Sequence, residues 1–323
     1  MEIYFAPMEG ITGYTFRNVY DECFPGADRF YTPFIAATHT HSCKTREKKD
    51  VAPENNRVRS LIPQVLTNQA EDFLWSLGSL AELGYTEVNL NLGCPSPTVV
   101  TKKKGAGFLG EPAMLDRFFE ETFEGLHRTG STGKEAVRIS VKTRIGMRDT
   151  EEAAALMDIF NRYPLAELVI HPRLQSELYR GVPHFDIFLS MLRESRHPVC
   201  YNGDISSAGD VERIRETVRR ENLTLPAVMI GRGLLRDPAL IRRMRGGNAA
   251  ARGELKQYHD RLFDAYSAAL SPKDALFRMK ELWAYLRDRF DGEDGRIRKL
   301  LKSRDPVSYL AASDELFSEG TLR

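Results

Sequence analysis

Residues 71–95 read EDFLWSLGSLAELGYTEVNLNLGCP, and two periods meet in that stretch. Between 71 and 83 the apolar residues Phe73, Leu77 and Leu80 recur at helical spacing, while 87–92 is a short apolar run that ends in Gly93-Cys94-Pro95. The same alternation extends outward in both directions. Strand-like runs fall at 3–6, 29–32, 61–66, 87–92, 137–142, 167–171, 198–202 and 227–231, with helical periodicity at 71–83, 112–127, 151–162, 185–193 and 208–220. Strands alternating with helices imply βαβ units and a parallel sheet. Eight strands in roughly 230 residues match a (β/α)8 TIM barrel, α/β in class, with a doubly wound open sheet as the competitor. After Gly233 the pattern changes: Leu262, Tyr266, Leu276, Met279, Leu282, Trp283 and Leu286 repeat at helical spacing with no strand-like run, and Gly246-Gly247-Asn248 punctuates the change. The expected division is a catalytic barrel at 1–245 followed by an all-α helical domain at 246–323.

The chain has 323 residues, 42% hydrophobic and 28% charged, which excludes wholesale disorder and fibrous architecture. Lys and Arg number 46 against 45 Asp and Glu, a net of +1. Residues 241–323 hold 17 basic against 13 acidic side chains, so the tail is modestly basic at +4 and the remainder stands at −3. No apolar run reaches the length of a membrane span, and MEIYFAPMEG has no basic region before an apolar stretch, so a cytoplasmic protein is expected. Cys23, Cys43, Cys94 and Cys200 form neither a disulfide framework nor a CxxC pair, so no structural zinc or other metal is expected.

In a (β/α)8 barrel the chemistry sits where strands run into the βα loops at the carboxyl face. Strand one ends in Ala6-Pro7-Met8-Glu9-Gly10, strand three carries Gln64, and strand four ends in Asn91-Leu92-Gly93-Cys94-Pro95. The next four end in Lys142-Thr143-Arg144, His171-Pro172-Arg173, Asn202-Gly203-Asp204 and Gly231-Arg232-Gly233. A lysine, an amide, a histidine and a cysteine thus converge on one rim. Loops after strands seven and eight, with helix N-termini behind them, form the usual phosphate cradle of such barrels, and Arg232 adds a charge-assisted contact; the plainer reading is two tight turns. Cys94 lies in a loop with polar neighbours and is read as catalytic, Cys200 as an inert hydrophobe within a strand, and Cys23 and Cys43 as having nothing chemical beside them. Lys142 follows the apolar run 139–141, where an unpaired charge is costly, so an anionic partner is implied. His171 beside it is read as a hydrogen-bond donor to an anionic ring or phosphate. Lys102-Lys103-Lys104 precede a GxGxxG match at 105–110, discounted as a dinucleotide fingerprint because no apolar strand leads into it, and read as a mobile flap that can meet phosphates. Gly130-Ser131-Thr132-Gly133-Lys134 matches a P-loop only superficially, its first glycine being two residues too close.

These motifs resemble the tRNA-dihydrouridine synthases, FMN-dependent barrels with a helical C-terminal domain. The resemblance rests on Ala6-Pro7-Met8, Gln64, Asn91-Leu92-Gly93-Cys94-Pro95 with Lys104-Gly105-Ala106-Gly107, Lys142-Thr143-Arg144, His171, Tyr179-Arg180-Gly181, Asn202-Gly203-Asp204 and Gly231-Arg232-Gly233, and continues to Met279-Lys280 and Trp283-Ala284-Tyr285-Leu286. Two departures are visible. Thr32 is followed by Pro33-Phe34 where the family usually has Thr-Glu, and Pro172 stands where it usually has glycine.

The resemblance implies reduction of a tRNA uridine to 5,6-dihydrouridine. Hydride would pass from reduced flavin to C6, Cys94 would give a proton to C5 as general acid, and NADPH or NADH would reduce the flavin. It implies that Pro7 and Met8 lie against the flavin ring, that Gln64 and Lys142 bond its pyrimidine edge, and that His171 holds flavin or phosphate oxygens. The phosphate would rest on Asn202, Gly203, Asp204, Gly231 and Arg232. Asn91 would help hold the uracil, with Lys104, Arg144 and Arg173 as further substrate contacts. The uridine must leave its stack to reach such a pocket. The tail would bind tRNA through Lys280, Arg287, Arg289, Arg296, Arg298, Lys299, Lys302 and Arg304, and a monomer is expected. The competing functions are a flavin barrel acting on a free pyrimidine, like dihydroorotate dehydrogenase, and an RNA-binding protein that has lost its chemistry. The helical tail argues against the first, the retained Cys94, Lys142 and His171 against the second.

Overall fold

The computed structural model describes residues 1–128 and 137–323; the stretch 130–134 lies outside the described residues. Its main sheet contains β1 (Glu2–Phe5), β2 (Arg29–Tyr31 and Ile35–Ala36), β3 (Leu61–Ile62 and Gln64–Leu66) and β4 (Glu87–Leu92), then β5 (Arg138–Gly146), β6 (Leu168–Leu174), β7 (Val199–Tyr201) and β8 (Ala227–Ile230). All pairs are parallel, each strand joins the next, and β8 returns to β1 through Glu2↔Ala227 and Phe5↔Ile230. β2 and β3 meet twice, at Phe30↔Leu61 and Ile35↔Val65, because Pro33 and Pro63 interrupt both strands. The ring is therefore an eight-stranded barrel, as the alternation predicts, and the open sheet is excluded.

The pleat sorts each strand into two faces. Ile3, Phe5, Val88, Leu90, Val141, Leu168, Ile170 and Val228 belong to the large core between barrel and helices. The alternate positions Tyr4, Ala6, Tyr31, Ile62, Val169, Cys200, Ala227 and Met229 form a separate cluster inside the barrel. Two residues further along those inner columns stand Met8, Gln64, His171, Asn202 and Gly231. The period of two thus stacks an apolar plug under a polar rim, with Cys200 buried in the plug.

Two strands outrun their sequence limits. β5 continues to Gly146 and β6 to Leu174, so Arg144 and Arg173 lie within strands and are buried. The β5–β6 register passes from Arg144↔His171 to Gly146↔Leu174, with one extra residue on β6 where Pro172 has no N–H to give. Helices Tyr14–Cys23 and Thr45–Val51 also lie in stretches without a clear apolar period.

The tail is helical as expected, with Arg252–Ala269, Pro272–Leu286, Asp294–Lys302 and Pro306–Glu319. It also has one feature its periodicity hid, a short antiparallel pair of Phe290–Asp291 with Thr321–Leu322. Trp283 donates from Nε1 to the Tyr309 hydroxyl at 2.8 Å in its core. The Tyr258 ring meets Phe16, Tyr20 and Phe24 edge-on at 6.4, 6.4 and 5.4 Å, so the helix Arg252–Ala269 shares one apolar core with the first barrel helix. No helix among the described residues is long and apolar enough to cross a membrane.

Candidate active site

A cavity of about 370 Å³ opens at the carboxyl end of the barrel. Pro7, Met8, Lys142, Arg144, His171, Asn202, Gly203, Asp204, Gly231 and Arg232 line it, so ten of the residues singled out from sequence meet in one place. The β1 end is fixed by Thr12, whose hydroxyl accepts from the Met8 N–H at 2.8 Å. Along the β7 and β8 ends two glycines leave no room for a side chain and a third is crowded. A Cβ on Gly203 would stand 1.9 Å from the Tyr201 hydroxyl oxygen, one on Gly233 2.1 Å from the Ile205 carbonyl oxygen, and one on Gly231 3.1 Å from Met8 Sδ. Helix Arg232–Arg236 begins at this wall, and its first N–H groups have no intrahelical acceptor. The helix after β7 is different. It starts only at Ala208, and Ser207 and Asp210 cap its N-terminus, Asp210 accepting from the Ser206 and Ser207 N–H groups at 2.8 Å. One helix N-terminus stands behind the cradle, where the sequence suggested two.

Lys142, Arg144, Arg232 and Arg236 are the cations of the lining, Arg173 is not among the lining residues, and these side chains differ in what they hold. Arg232 donates to Asp204 at 2.6 Å and keeps its guanidinium 5.1 Å from the Tyr179 ring. Arg173 is buried, donating to Asp204 at 2.5 Å and to the Arg180 and Gly181 carbonyls at 3.1 and 2.7 Å. Lys142 has no hydrogen-bond or ion-pair partner among the described residues, and burial together with Arg144 pushes it down to about 8. His171 is buried beside it; its Nδ1–H donates to the Asn202 carbonyl at 2.5 Å, leaving Nε2 without a partner. Desolvation and the nearby charges of Arg144 and Lys142 hold the imidazole well below its ordinary value, so it is neutral. As it stands, Nε2 offers a lone pair, and it becomes the donor expected from sequence only by taking up a second proton.

Cys94 adjoins the cavity through Gly93, one of its lining residues. A relay of amides sets its loop. Asn89 donates to Ser140 at 3.0 Å, Gln64 donates to Asn89 at 2.8 Å, and Asn91 donates to Gln64 at 2.7 Å. The Asn91 carbonyl oxygen then accepts from the Gly93 and Cys94 N–H groups at 3.1 and 2.9 Å. Arg144 secures the other side, donating to the carbonyls of Gly93, Leu174 and Leu178 at 3.0, 2.8 and 2.8 Å. Gln64 and Asn91 therefore hold the cysteine loop and do not line the cavity. Burial, with a smaller push from Glu9, raises the Cys94 thiol above its ordinary value, so it carries its proton at neutral pH; Arg144 and Lys142 favour the thiolate.

The glycine-rich stretch corrects the flap expected from sequence. Gly105–Gly110 is a 3-10 turn, buried from Gly105 to Leu109, with the Ala106 N–H donating to the Cys94 carbonyl at 3.0 Å. Gly105 has φ +55°, and a Cβ on Gly107 would stand 2.6 Å from the Val100 carbonyl oxygen. The glycines are there so this turn can brace the cysteine loop. Lys104 donates to the Ala37 carbonyl at 3.1 Å and Lys103 pairs with Glu111 at 2.7 Å; neither lines the cavity.

Tyr179 and Arg236 line the cavity without having been given a role from sequence. Tyr179 lies 56% exposed at the mouth, its ring facing Arg144 and Arg232; Arg236 sits one helical turn past Arg232 and pairs with Asp288 of the tail at 3.0 Å. Their signals were present, an aromatic just beyond a rim strand and an i+4 cation on the cradle helix.

Most of the tail's expected cations are already engaged. Arg289 is buried and donates to the Arg323 carbonyl at 2.6 Å, which removes it from any surface. Arg287 pairs with Asp294, Arg296 with Glu293 and Glu319, Lys299 with Glu315, and Lys280 donates to the Ser303 carbonyl. Arg298, Lys302 and Arg304 have no partner among the described residues and line an open groove.

The sequence model described as "Dihydrouridine synthase (Dus)" matches residues 4–280. The chain is 27% identical to "Probable tRNA-dihydrouridine synthase 2" of Bacillus subtilis (strain 168), over 81% of this chain and 78% of that one. It is 30% identical to "tRNA-dihydrouridine(16) synthase" of Ralstonia nicotianae, over 75% of this chain and 72% of that one. Among solved structures, a variant of NCR from Zymomonas mobilis aligns at TM-score 0.48 and 10% identity, over 78% and 88% of the two chains.

Proposed function

The chain belongs to the dihydrouridine synthase family and is an oxidoreductase, and from that premise we propose that it reduces a uridine of tRNA to 5,6-dihydrouridine. We assign the chemistry to residues 1–245 and RNA binding to 246–323. The observation that carries the reading is the union, in one cavity wall, of an unpaired Lys142, an orphaned His171 Nε2 and a cradle where no Cβ fits, beside a protonated thiol.

The donor set fits a phosphorylated flavin. Gly203, Gly231 and Arg232 would hold the phosphate, with Asn202 and Asp204 orienting them, and Pro7 and Met8 would lie against the ring. Lys142 would meet the pyrimidine edge, where Gln64 is close by through Asn91. When bound, FMN supplies hydride to C6 of the uracil and is itself reduced by NADPH or NADH.

The protein's own part in the reaction is the proton. Cys94 keeps its proton until C5 needs it, and Arg144 and Lys142 stabilise the thiolate left behind. Asn91 and Arg144 fix the cysteine loop from two sides, which gives both a positioning role in addition to any contact with the base. Arg173 acts on the substrate side only by holding the Arg180–Gly181 backbone near Tyr179. The target uridine leaves its stack to enter. Arg298, Lys302 and Arg304 are the tail cations free to meet phosphates.

Nucleoside mass spectrometry on dihydrouridine-free tRNA, incubated with the protein, FMN and NADPH, tests this. The expected result is a gain of two hydrogens on uridine, absent with Cys94→Ala, which keeps its yellow flavin. NADPH consumption without that gain would move the substrate to a free pyrimidine.

A further inference from the structure

Phe277 stands 58% exposed on the helix Pro272–Leu286, one of the few large apolar side chains that the fold leaves in water. Nothing in the core accounts for it, since the buried side of that helix is formed by Ala275, Leu276, Met279, Leu282, Trp283 and Leu286. Lys273, Arg278 and Lys280 flank it, together with the acids Asp274 and Glu281, the latter paired with Arg278 at 2.8 Å. The Arg278 guanidinium lies 5.9 Å from the ring centroid, and Lys273, one turn back, is exposed and unpaired among the described residues.

Contacts on either side of Phe277 make a continuous path. One turn onward, on the same face, Lys280 donates to the Ser303 carbonyl, and Ser303 lines the groove of Arg298, Lys302 and Arg304. In the other direction Arg278 donates to the Gly10 carbonyl, two residues past Met8 of the cavity wall. An exposed ring thus sits on a helix that touches the groove of free cations on one side and the loop after β1 on the other.

Resting on the tRNA reading above, we propose that Phe277 is a base-stacking platform for a tRNA nucleotide other than the target, with the groove of Arg298, Lys302 and Arg304 holding the adjoining backbone. Charge complementarity names the occupant. The groove cations without partners suit phosphates, and an exposed aromatic face accepts any base by stacking. The Phe277 contact fixes how the RNA lies across the barrel, and so bears on which uridine reaches Cys94.

The test is tRNA affinity by filter binding for the flavin-loaded protein, measured from 50 to 200 mM salt, with Phe277→Ala, Phe277→Trp and Lys302→Ala. Stacking predicts a loss of about tenfold for Phe277→Ala, an unchanged salt slope, and affinity retained by Phe277→Trp. Removing a phosphate contact at Lys302 predicts instead a salt slope shallower by about one unit. Wild-type binding matched by Phe277→Ala overturns this proposal alone, as does a loss that Phe277→Trp fails to rescue. A wild-type protein that binds no tRNA overturns the functional reading and this proposal with it.

Discussion

Lys142 carries its charge in a wall whose acid, Asp204, is already paired with Arg173 and Arg232. Burial and Arg144 bring its ammonium down to about 8, so near neutral pH the free protein stands close to losing that proton. A ligand oxygen placed against the ammonium favours the charged form and raises the value again, so ligand binding takes up a proton between the two values. The expected outcome is that flavin affinity, followed by fluorescence quenching, weakens as pH rises through about 8. Lys142→Met should bind more weakly at pH 7 and show a flatter profile. A wild-type profile as flat as the variant's would remove Lys142 from the ligand's surroundings. The cysteine at this scale behaves in the opposite sense, since burial keeps the Cys94 thiol protonated and an acid is what the reaction asks of it. Asn91 is the residue most easily misread from sequence. It sits on a rim strand among chemical groups, yet its carbonyl oxygen is spent on two backbone N–H groups. Asn91→Ala should lower kcat more than KM and also change the rate at which iodoacetamide alkylates Cys94, because the loop that orients the thiol loses its acceptor.

Among the elements, two glycines of similar appearance in the sequence have opposite roles. Gly107 belongs to the turn under the cysteine loop, where an added Cβ would meet the Val100 carbonyl oxygen at 2.6 Å. Gly78 sits exposed inside the helix Ala70–Glu82 with nothing within 4 Å. Gly78→Ala should therefore stabilise the protein by about 0.5–1 kcal/mol, and Gly107→Ala should destabilise it and slow turnover, both read from urea unfolding midpoints and steady-state rates. Period alone could not separate these positions, and the same limit governs what else was legible. The eight strands were readable because buried parallel strands are continuous apolar runs, and β4 is buried at every position. The far ends of β5 and β6 were hidden, since Arg144 and Arg173 look like rim residues until their backbone acceptors are known. Gly105–Gly110 looked like a flap because glycines signal both freedom and close approach, and only the contact with Cys94 distinguishes them. Ten residues of the cavity wall could be named because they end the barrel strands, whereas Tyr179 lies in a loop held by Arg173 and by Arg144, the latter 34 residues from the carbonyl it bonds.

Across the whole molecule the barrel's two ends handle charge in contrasting ways. The carboxyl end leaves Lys142 free for a ligand while its arginines are engaged by the protein, and the amino end buries Glu167 among hydroxyls. Tyr4 lies 2.7 Å from a Glu2 carboxylate oxygen and 2.9 Å from Glu167, and Tyr31 is 3.3 Å from the other Glu167 oxygen. A hydroxyl has one proton, so Tyr4 cannot donate to both acids at once, and a protonated Glu167 resolves the conflict by donating to Tyr4 while Tyr4 donates to Glu2. Burial accordingly raises Glu167 to about 7, with the neighbouring Glu87 adding to the shift and Arg29 opposing it. The sign follows from proton counts. Between the unfolded value, 4.5, and about 7 the folded protein holds a proton that the unfolded chain has released, so stability from this group is greatest below 4.5 and declines as pH rises through 7. The full span corresponds to about 3 kcal/mol. Glu167→Gln imitates the protonated form at every pH. It should match the wild type in urea unfolding at pH 4 and exceed it by about 3 kcal/mol at pH 8.5, with flavin content unchanged because the substitution lies at the opposite end of the barrel from the cavity. A stability gap between the two proteins that stays constant from pH 5 to 8.5 would mean that Glu167 is ionised in the folded barrel, with Tyr4 donating to it and Glu2 left to solvent.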